Sequence, residues 1–505
     1  MRIIDLLSHV PLFNRERDQL TSFDPLATID YCTNKTDNRK IVIIGGGIAG
    51  LTMAWLLERR GFNDIVIIEA SERLGGKIYS YTHDEITHEM GACYTQPAYH
   101  GIHYLMRHFG ITDKIGVAGR MVYRDNGTCR PFGDDVIEQL RQALGGAWRL
   151  MPKELIGIRV LSALARYKKL HRKLLGDYRG QLPPRPSSKV LSALSIPLGA
   201  WLSHHKLDLL IPIFRLFQSA QGYGYLETIP AFYGLMWNKP EVIDIAQEQM
   251  RGVGQGATLI RGGMGRLIES LGSSLSSSVD MGMKVTEIRR GSKCHVLAFD
   301  AQGRHHRYEA DQVIVAAPHK SALSWLNPPS SLEKELFSSL VSSRMTTTLQ
   351  SARQPHIRKI DSWFDNLVPG RDHQVITQRY TGGFLSDHSD SETLKSPVIE
   401  RVVYQYGETL VPEEEVVACY QAYQESIGCE EHEVVTRCHW PDYFPHWEGA
   451  GVAAGNPWRL FESQGKDKTW WVGSSACFES INDVLVYNLL LCHAYIDHHP
   501  SPLNR

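Results

Sequence analysis

The sequence predicts an α/β protein in which a Rossmann-like dinucleotide-binding domain is interleaved with an α+β domain that bears a helical cap. An uninterrupted apolar run at 41–44 is typical of a parallel strand buried on both faces, and it ends at a glycine-rich turn. A helical stretch at about 48–60 and a second apolar run at 65–68 complete a βαβ unit. Further strand-like runs follow a long helical region, at 295–299, 313–317 and 470–472.

The composition excludes several classes of protein. The chain has 505 residues, 43% of them hydrophobic, and its 54 Lys and Arg nearly balance its 55 Asp and Glu, so no net field favours nucleic acid. Nine cysteines without a C-x-x-C pair argue against a disulfide framework, and the histidines are too dispersed for a metal site. There is neither a signal-peptide pattern nor an apolar stretch of the roughly 20 residues that span a bilayer, so we expect a cytoplasmic protein.

Changes in composition and in the pattern of helix and strand along the chain predict six segments. Residues 1–38 are polar and irregular and are expected to form an N-terminal extension. The nucleotide-binding domain is predicted at 39–111, 251–320 and 446–505, the last part with a C-terminal helix, and the substrate domain with its helical cap at 112–250 and 321–445.

The turn after the first strand reads Gly45-x-Gly47-x-x-Gly50. In this setting the first glycine permits a tight turn, the second lets a pyrophosphate approach the backbone, and the third allows close contact between helix and strand. The N–H groups at the helix N-terminus face the phosphates. Glu69 ends the second strand, where its carboxylate can accept hydrogen bonds from ribose hydroxyls. The pattern predicts binding of a dinucleotide whose adenosine carries no 2′-phosphate.

A resemblance indicates which dinucleotide this is. The segments 69–77 and 88–92 resemble the extended dinucleotide signature of the flavin amine oxidase superfamily, with Lys77 where arginine is usual and Glu89 where aspartate is common. The resemblance implies FAD as the cofactor. In the first turn and these two segments, the residues expected to hold FAD are Gly45, Gly47, Ile48, Ala49, Gly50, Glu69, Ala70, Arg73, Gly75, Gly76, Lys77, Glu89, Met90, Gly91 and Ala92.

Later segments match the same superfamily in the expected order. The turn at 261–264 is similar to a Gly-Gly-Met turn beside the flavin, 283–288 to a strand next to adenine, and 316–318 to a strand end near the pyrophosphate. Residues 471–484 resemble a second strand, turn and helix at the flavin, except that Ser474 stands where an acidic residue is usual. The FAD residues that this resemblance adds are Gly263, Met264, Val285, Ala317, Gly473, Ser474, Asn482, Asp483 and Val484.

Within the superfamily, residues 221–225, 229–233 and 478–484 resemble the branch of flavin-dependent polyunsaturated fatty acid isomerases and related oxidoreductases. The resemblance implies hydride transfer to flavin N5 from a hydrophobic, unsaturated small molecule. The reaction is then either a dehydrogenation, with molecular oxygen as a candidate electron acceptor, or a redox-neutral double-bond isomerisation. The candidates for the wall of a dry substrate cavity, unless they only pack the cap helices, are Tyr223, Tyr225 and Tyr233.

Two other functions stay open. An amine or amino-acid oxidase would produce an imine and peroxide, but no aromatic pair is evident in the C-terminal turn around Cys477, and no lysine aligns with the flavin-proximal lysine of the family. Alternatively, FAD only stabilises a non-catalytic partner protein. Nothing in the sequence specifies an oligomeric state.

Four other features have two interpretations each. The segment 147–179 carries nine Lys and Arg against two acidic residues, so it is either a solvated face of the cap or a surface that meets anionic lipid headgroups. Cys477 is interpreted as a core residue rather than a covalent flavin link. His446 is interpreted as part of an aromatic loop rather than a catalytic base, and 252–256 as a loop rather than a second nucleotide site.

Overall fold

The computed structural model describes residues 24–117, 119–250, 256–352, 360–380, 399–429 and 432–497. Most of the predicted N-terminal extension, residues 1–23, lies outside these residues, as does most of the predicted loop at 252–256. Within the described part of the chain, no helix combines the length and the apolarity that a membrane span requires.

A five-stranded parallel sheet contains the predicted βαβ unit. Its middle strand is Asp37–Ile44, whose last four residues are buried because neighbouring strands and helices cover both faces. In this strand Ile43 pairs with Ile67 on one side and with Ile314 on the other. Across the sheet the strands follow in the order Thr469–Trp471, Gln312–Val315, Asp37–Ile44, Phe62–Ile68 and Ser278–Asp280.

This sheet confirms the predicted fold class. The helix Ile48–Arg59 connects the strands Asp37–Ile44 and Phe62–Ile68, which is the crossover that the glycine motif requires. The other strands come from much later parts of the chain, as expected for interleaved domains. The exact boundaries between the domains stay a prediction.

Three smaller sheets accompany it. A four-stranded sheet is antiparallel except for its last, short strand, which pairs in parallel. Its order is His305–Ala310, Cys294–Phe299, Lys284–Arg289 and Leu326–Asn327. Two two-stranded sheets pair Ser80–His83 with Ile86–Glu89, and Lys114–Gly116 with Thr258–Ile260.

A seven-stranded sheet includes two strands from a stretch that the sequence predicts as helical. Arg120–Tyr123 pairs in parallel with Ile360–Trp363, far later in the chain, and such a distant pairing leaves no local pattern in the sequence. The sheet buries an ion pair in which Arg401 donates to Asp361 at 2.5 Å. Its strand order is His432–Trp447, Leu340–Ala352, Ile399–Gly407, Val375–Arg379, Ile360–Trp363, Arg120–Tyr123 and Cys129–Pro131.

The α-helices are concentrated between residues 132 and 250. The longest, Lys153–Leu175, buries residues at helical spacing, among them Ile156, Val160 and Tyr167, and exposes its opposite face. In chain order the α-helices are Ile48–Arg59, His100–His108, Phe132–Leu144, Lys153–Leu175, Ser188–Leu194, Leu198–His204, Ile211–Gln218, Ala231–Trp237, Pro240–Met250, Gly265–Ser274, His319–Ala322, Ser331–Ser338, Glu413–Ser426, Gly449–Ala453, Asn456–Glu462 and Ile481–Cys492.

A buried ion pair joins the helical region to the C-terminal helix. Lys239 Nζ donates to Asp483 Oδ1 at 2.6 Å, and the two side chains are 3% and 0% exposed. Asp483 lies in the first turn of Ile481–Cys492, where the Ser480 side chain caps the helix by accepting from the N–H of Asp483. Burial raises the pKa of Asp483, and Lys239 opposes this shift. Each of the two charges therefore depends on the other.

Replacing Lys239 with methionine should lower the free energy of unfolding by about 3–5 kcal/mol, because it leaves a buried carboxylate without its partner. The double variant Lys239→Met/Asp483→Asn should recover a large part of this loss, since no unpaired charge is then buried. Urea denaturation followed by tryptophan fluorescence measures both. Lys189→Met, at an exposed position, is the matched control and should change stability by less than about 0.5 kcal/mol. Equal losses of unfolding free energy in the single and the double variant would contradict the pairing of Lys239 with Asp483.

Candidate functional site

One cavity of about 890 Å³ lies at the carboxyl ends of the parallel strands. Ile44 and Ile68, the last residues of two of these strands, line it together with Val472, which follows a third. This is the edge at which open α/β sheets bind their ligands. The predicted FAD residues that line the cavity are Gly45, Gly47, Ile48, Ala49, Glu69, Ala70, Gly75, Gly76, Lys77, Met90, Gly91, Ala92, Val285, Ala317, Gly473, Ser474 and Val484.

The glycine turn has the geometry of a phosphate site. Gly45 has φ 115°, a conformation that favours glycine, and its N–H donates to the Ile68 carbonyl at 2.8 Å. A Cβ at Gly50 would lie 2.0 Å from the Gly45 oxygen, so the helix Ile48–Arg59 approaches the strand as closely as the motif predicts. A Cβ at Gly47 would meet nothing nearer than 3.8 Å. The space at this glycine is therefore open for a diphosphate, next to the helix N-terminus.

Glu69 lines the cavity, and the protein fixes its orientation. Its Oε2 accepts from the N–H of Gly46 at 2.7 Å, and its Oε1 accepts from the N–H and the hydroxyl of Ser71 at 2.8 and 2.7 Å. A carboxylate offers about four acceptor positions. These three bonds leave about one position, with which Glu69 can accept from a ribose hydroxyl.

The Arg73 side chain contacts the protein rather than the cavity. It donates to the carbonyls of Gly76, Ile78 and Leu74 at 2.8, 3.0 and 3.2 Å, and its guanidinium lies 4.2 Å from the centroid of the Tyr79 ring. The N–H groups of Arg73 are therefore hydrogen-bonded to backbone carbonyls of its own loop. Arg73 thus shapes the turn and does not line the cavity, and its expected contact with FAD stays a prediction.

Lys77 and Glu479 form an ion pair in the cavity wall. Lys77 Nζ lies 2.8 Å from Glu479 Oε1 and donates to Ser474 Oγ at 3.4 Å. Glu479 also accepts from the N–H of Phe444 at 3.1 Å. The Glu479 carboxylate, later in the same turn, therefore contacts the same ammonium group as Ser474. Sequence reasoning included Glu479 only in the segment 478–484, which resembles the fatty acid isomerase branch, and assigned it no contact with the cofactor.

Glu89 joins the two-stranded sheet of Ser80–His83 and Ile86–Glu89 to the turn at Met264, outside the cavity. Its carboxyl accepts from the N–H of Met264, and from Ser80 Oγ at 2.9 Å. Burial raises the pKa of Glu89 to about 8, although both hydrogen bonds oppose the shift. The group is therefore mostly protonated at neutral pH. Glu89, Gly263 and Met264 do not line the cavity, because they form this support, and their expected contact with FAD stays a prediction.

The C-terminal helix presents a different set of side chains to the cavity than predicted. Ile481 and Val484 line it, whereas Asn482 and Asp483 do not. Asn482 Oδ1 accepts from the N–H of Gly101 at 3.0 Å, and Asp483 pairs with a lysine as described above. The helical period accounts for the difference, since residues 481 and 484 share one face of the helix.

Among the three predicted tyrosines, Tyr223 lines the cavity and the other two are packed elsewhere. Tyr225 is fully buried, donates to Asp372 Oδ1 at 3.3 Å and packs edge-on against Tyr406. The Tyr233 hydroxyl accepts from the N–H of Trp447 at 3.0 Å. For Tyr225 and Tyr233 the alternative of structural packing therefore fits the structure.

An aromatic pair lies in the cavity wall, formed by the predicted Tyr223 and by Tyr443, which the sequence did not indicate. The rings of Tyr223 and Tyr443 are parallel within 4°, with centroids 6.1 Å apart, and Tyr443 donates to the Gln221 carbonyl at 2.6 Å. His446, in the same strand, does not line the cavity, and burial lowers its pKa to about 4. Cys477 is buried outside the cavity lining, as expected for a core residue.

Two guanidinium groups, which sequence reasoning also missed, line the cavity. Arg379 is 3% exposed, donates to the Ala220 carbonyl at 3.1 Å, and lies 5.0 and 4.7 Å from the ring centroids of Tyr94 and Tyr404. Arg120 is half-buried. The two arginines end and begin different strands of the seven-stranded sheet, so no local pattern relates them.

These two arginines give the cavity an excess of positive charge. Arg120 donates to Ser362 Oγ at 3.1 Å. Burial, and in addition the charge of Arg379, lower the pKa of Arg120 to about 10. Neither guanidinium has a carboxylate hydrogen-bond partner among the residues that the structure describes. A bound anion would therefore be stabilised here.

Comparison with known proteins identifies the family. The family model described as flavin containing amine oxidoreductase matches residues 48–352. A polyenoic fatty acid isomerase from Ptilota filicina is 24% identical over 482 residues, which are 88% of this chain and 92% of that protein. The flavin-containing amine oxidase B of Homo sapiens is 32% identical over 102 residues, which are 20% of this chain and 19% of that protein.

A solved structure extends the likeness to the fold. The crystal structure of a CLA-producing fatty acid isomerase from P. acnes has a TM-score of 0.75 to this chain at 20% identity, and the match covers 92% of this chain and 100% of that one. The resemblance stated from the sequence is confirmed, and with it FAD as the cofactor. The chain belongs to the flavin-containing amine oxidoreductase family and is an FAD-dependent oxidoreductase or isomerase.

Proposed function

We propose that this enzyme converts a hydrophobic, unsaturated carboxylic acid, either by dehydrogenation or by a redox-neutral shift of a double bond. The observation that carries the proposal is the cavity, in which the predicted dinucleotide residues and two arginines without a carboxylate partner among the described residues line one continuous space. The likeness to two fatty acid isomerases, from Ptilota filicina and P. acnes, supports the same class of substrate.

The walls of the cavity suit an apolar chain. The helical region and the seven-stranded sheet contribute Phe217, Met345, Ile360 and Trp440 to the lining, beside Tyr223. Each CH₂ group that a substrate buries there contributes about 0.8 kcal/mol, so a long hydrocarbon chain binds without many polar contacts. Apolar walls also exclude water, which protects a transferring hydride from side reactions.

The arginine pair selects the charge of the substrate. A substrate carboxylate would supply Arg120 and Arg379 with the counter-charge that the described residues do not offer, through charge-assisted and bidentate hydrogen bonds. A protonated amine would instead meet two like charges in a medium of low dielectric constant. We infer that an anionic substrate is favoured over an amine.

When bound, FAD supplies the group that takes up a hydride from carbon and can return it. We propose that Gly47 and the helix N-terminus hold its diphosphate, that Glu69 binds the adenosine ribose, and that the Lys77–Glu479 pair orients the ribitol side. The predicted FAD residues found in the cavity lining would form the rest of the contact surface. Glu89 acts through the sheet and the turn that it joins and is a positioning residue.

Replacing Gly47 with alanine should raise the Kd for FAD by about 10–100-fold, because the methyl group takes space that a charge-assisted phosphate contact needs. The fold should survive, since the nearest protein atoms to a Cβ at this position are 3.8 Å away, which is an ordinary van der Waals contact. Flavin absorbance retained after gel filtration, and calorimetric titration of the apoprotein, measure the change. Gly133→Ala is the matched control, because a Cβ there has open space around it. Normal FAD binding by Gly47→Ala would contradict the phosphate site.

Replacing Arg379 or Arg120 with glutamine should raise the KM for a polyunsaturated fatty acid by about 10–100-fold, since each variant loses a hydrogen bond to a charged group. The KM for the methyl ester of the same acid should change little. Initial rates with the acid and its ester measure the effect, for variants that keep bound flavin.

Arg107→Gln is the matched control for both arginine variants, because Arg107 is exposed on the helix His100–His108. Using two separate arginines guards against a variant that fails to fold. Unchanged KM for the acid in a folded Arg120→Gln or Arg379→Gln enzyme would rule out a carboxylate site at that residue.

Oxygen consumption distinguishes the two reactions. Dehydrogenation passes two electrons and two protons per turnover to an acceptor, and with oxygen it yields hydrogen peroxide. Isomerisation returns the hydride to another carbon of the substrate and consumes no acceptor. We expect a polyunsaturated fatty acid to be converted, and product analysis with and without oxygen decides which reaction occurs. Failure of the holoenzyme to convert any acid of this class would contradict the proposed function.

The Tyr223–Tyr443 pair favours a second candidate, oxidation of an amine. Parallel aromatic rings can accept a developing cation between or beside them. Release of ammonia and peroxide across a panel of primary amines would establish this activity, and silence across the panel would exclude it. The arginine pair in the same cavity is the reason that we place this candidate second.

A further inference from the structure

We propose that the exposed face of the helix Lys153–Leu175, together with Leu150 just before it, docks the enzyme on an anionic phospholipid surface. We name this face the basic face. It consists of the exposed residues Leu150, Lys153, Glu154, Leu155, Ile158, Arg159, Ser162, Ala165, Arg166, Lys169, Arg172 and Lys173.

The basic face carries a strong local charge on an almost neutral protein. Six of its residues are Lys or Arg and one, Glu154, is acidic, whereas the whole chain has a formal net charge of −1. The opposite side of the helix is buried through residues such as Ile156, Val160 and Tyr167, so the helix cannot turn its charges away from solvent. Each Lys or Arg near an anionic bilayer contributes about 1 kcal/mol to binding.

Exposed aliphatic side chains lie at the N-terminal end of the same face. Leu150, Leu155 and Ile158 are 90%, 46% and 38% exposed. Leu155 and Ile158 are three residues apart and therefore lie on one side of the helix. Aliphatic residues next to a basic row are the composition of helices that lie in a membrane interface. An acidic protein partner is favoured less, because protein interfaces centre on aromatic anchors and the one aromatic residue of this helix, Tyr167, is buried.

The helix is one layer away from the cavity. Lys168 donates to Gln247 Oε1 at 3.1 Å and pairs with Asp244, both on the helix Pro240–Met250. Val242, on that second helix, lines the cavity. An apolar acid dissolved in the bilayer would thus be close to its binding site. That advantage rests on the proposed function, whereas docking itself does not require turnover.

Co-sedimentation of the FAD-loaded enzyme with phosphatidylcholine vesicles, with and without phosphatidylglycerol, tests the docking. We expect binding to the anionic vesicles that weakens as salt increases, and little binding to the neutral ones. The variant Lys169→Glu/Arg172→Glu/Lys173→Glu should bind the anionic vesicles at least about 100-fold more weakly. Leu150→Ser/Leu155→Ser/Ile158→Ser should weaken binding as well, because it removes the groups that enter the interface.

Lys189→Glu/Lys334→Glu/Lys466→Glu is the matched control, because it makes the same change of net charge at three exposed lysines elsewhere on the surface. It should bind the anionic vesicles like the unmodified enzyme. The proposal would be overturned if the two charge-reversal variants lost equal affinity for the anionic vesicles. It would also be overturned if the unmodified enzyme bound to neither kind of vesicle. Retention of the enzyme by an acidic protein without any vesicle binding would assign the face to a protein partner instead. Fatty acid turnover is assayed separately in detergent-free solution, so failure of docking and failure of the proposed function are told apart.

Discussion

The helix that follows the first strand comes so close to that strand that a Cβ at Gly50 would lie 2.0 Å from the Gly45 carbonyl oxygen. Because of this close contact, the N-terminus of Ile48–Arg59 lies at the carboxyl edge of the parallel sheet. There the N–H groups of the first helical turn and the helix dipole face the cavity. The positions of Glu69 and of the turn at Gly75 follow from it, since both pack against the same glycine loop. The other residues of the cavity lining lie around this glycine turn.

Buried charges in the protein fall into two groups. Lys239 and Asp483 are paired, and so are Arg401 and Asp361, as expected where the cost of desolvation must be offset. Arg120 and Arg379 line a cavity and have hydrogen bonds only to neutral groups among the described residues. The contrast separates charges that hold the fold together from charges without an acidic partner in a cavity, and it is the physical basis on which we propose an anionic substrate.

The FAD residues show where motif reasoning succeeds and where it stops. The backbone of the glycine motif lines the cavity, because a glycine turn between a buried strand and a helix has few alternatives. The contacts of the side chains were harder to predict. Arg73 turns to carbonyls of its own loop and Glu89 to the turn at Met264, because these nearby groups satisfy them. Glu479 pairs with Lys77, although the resemblance at 478–484 assigned it no role.

The sequence by itself determined the parallel sheet and the glycine turn, and through the resemblance of its motifs also the family and its cofactor. All of these depend on short runs of neighbouring residues. Only the tertiary structure decided which side chains face the cavity. Arg120 and Arg379 meet there because the strands Arg120–Tyr123 and Val375–Arg379 lie in one sheet, on either side of Ile360–Trp363. Pairing between strands so distant in the chain depends on the packing of the whole molecule, which no local pattern encodes.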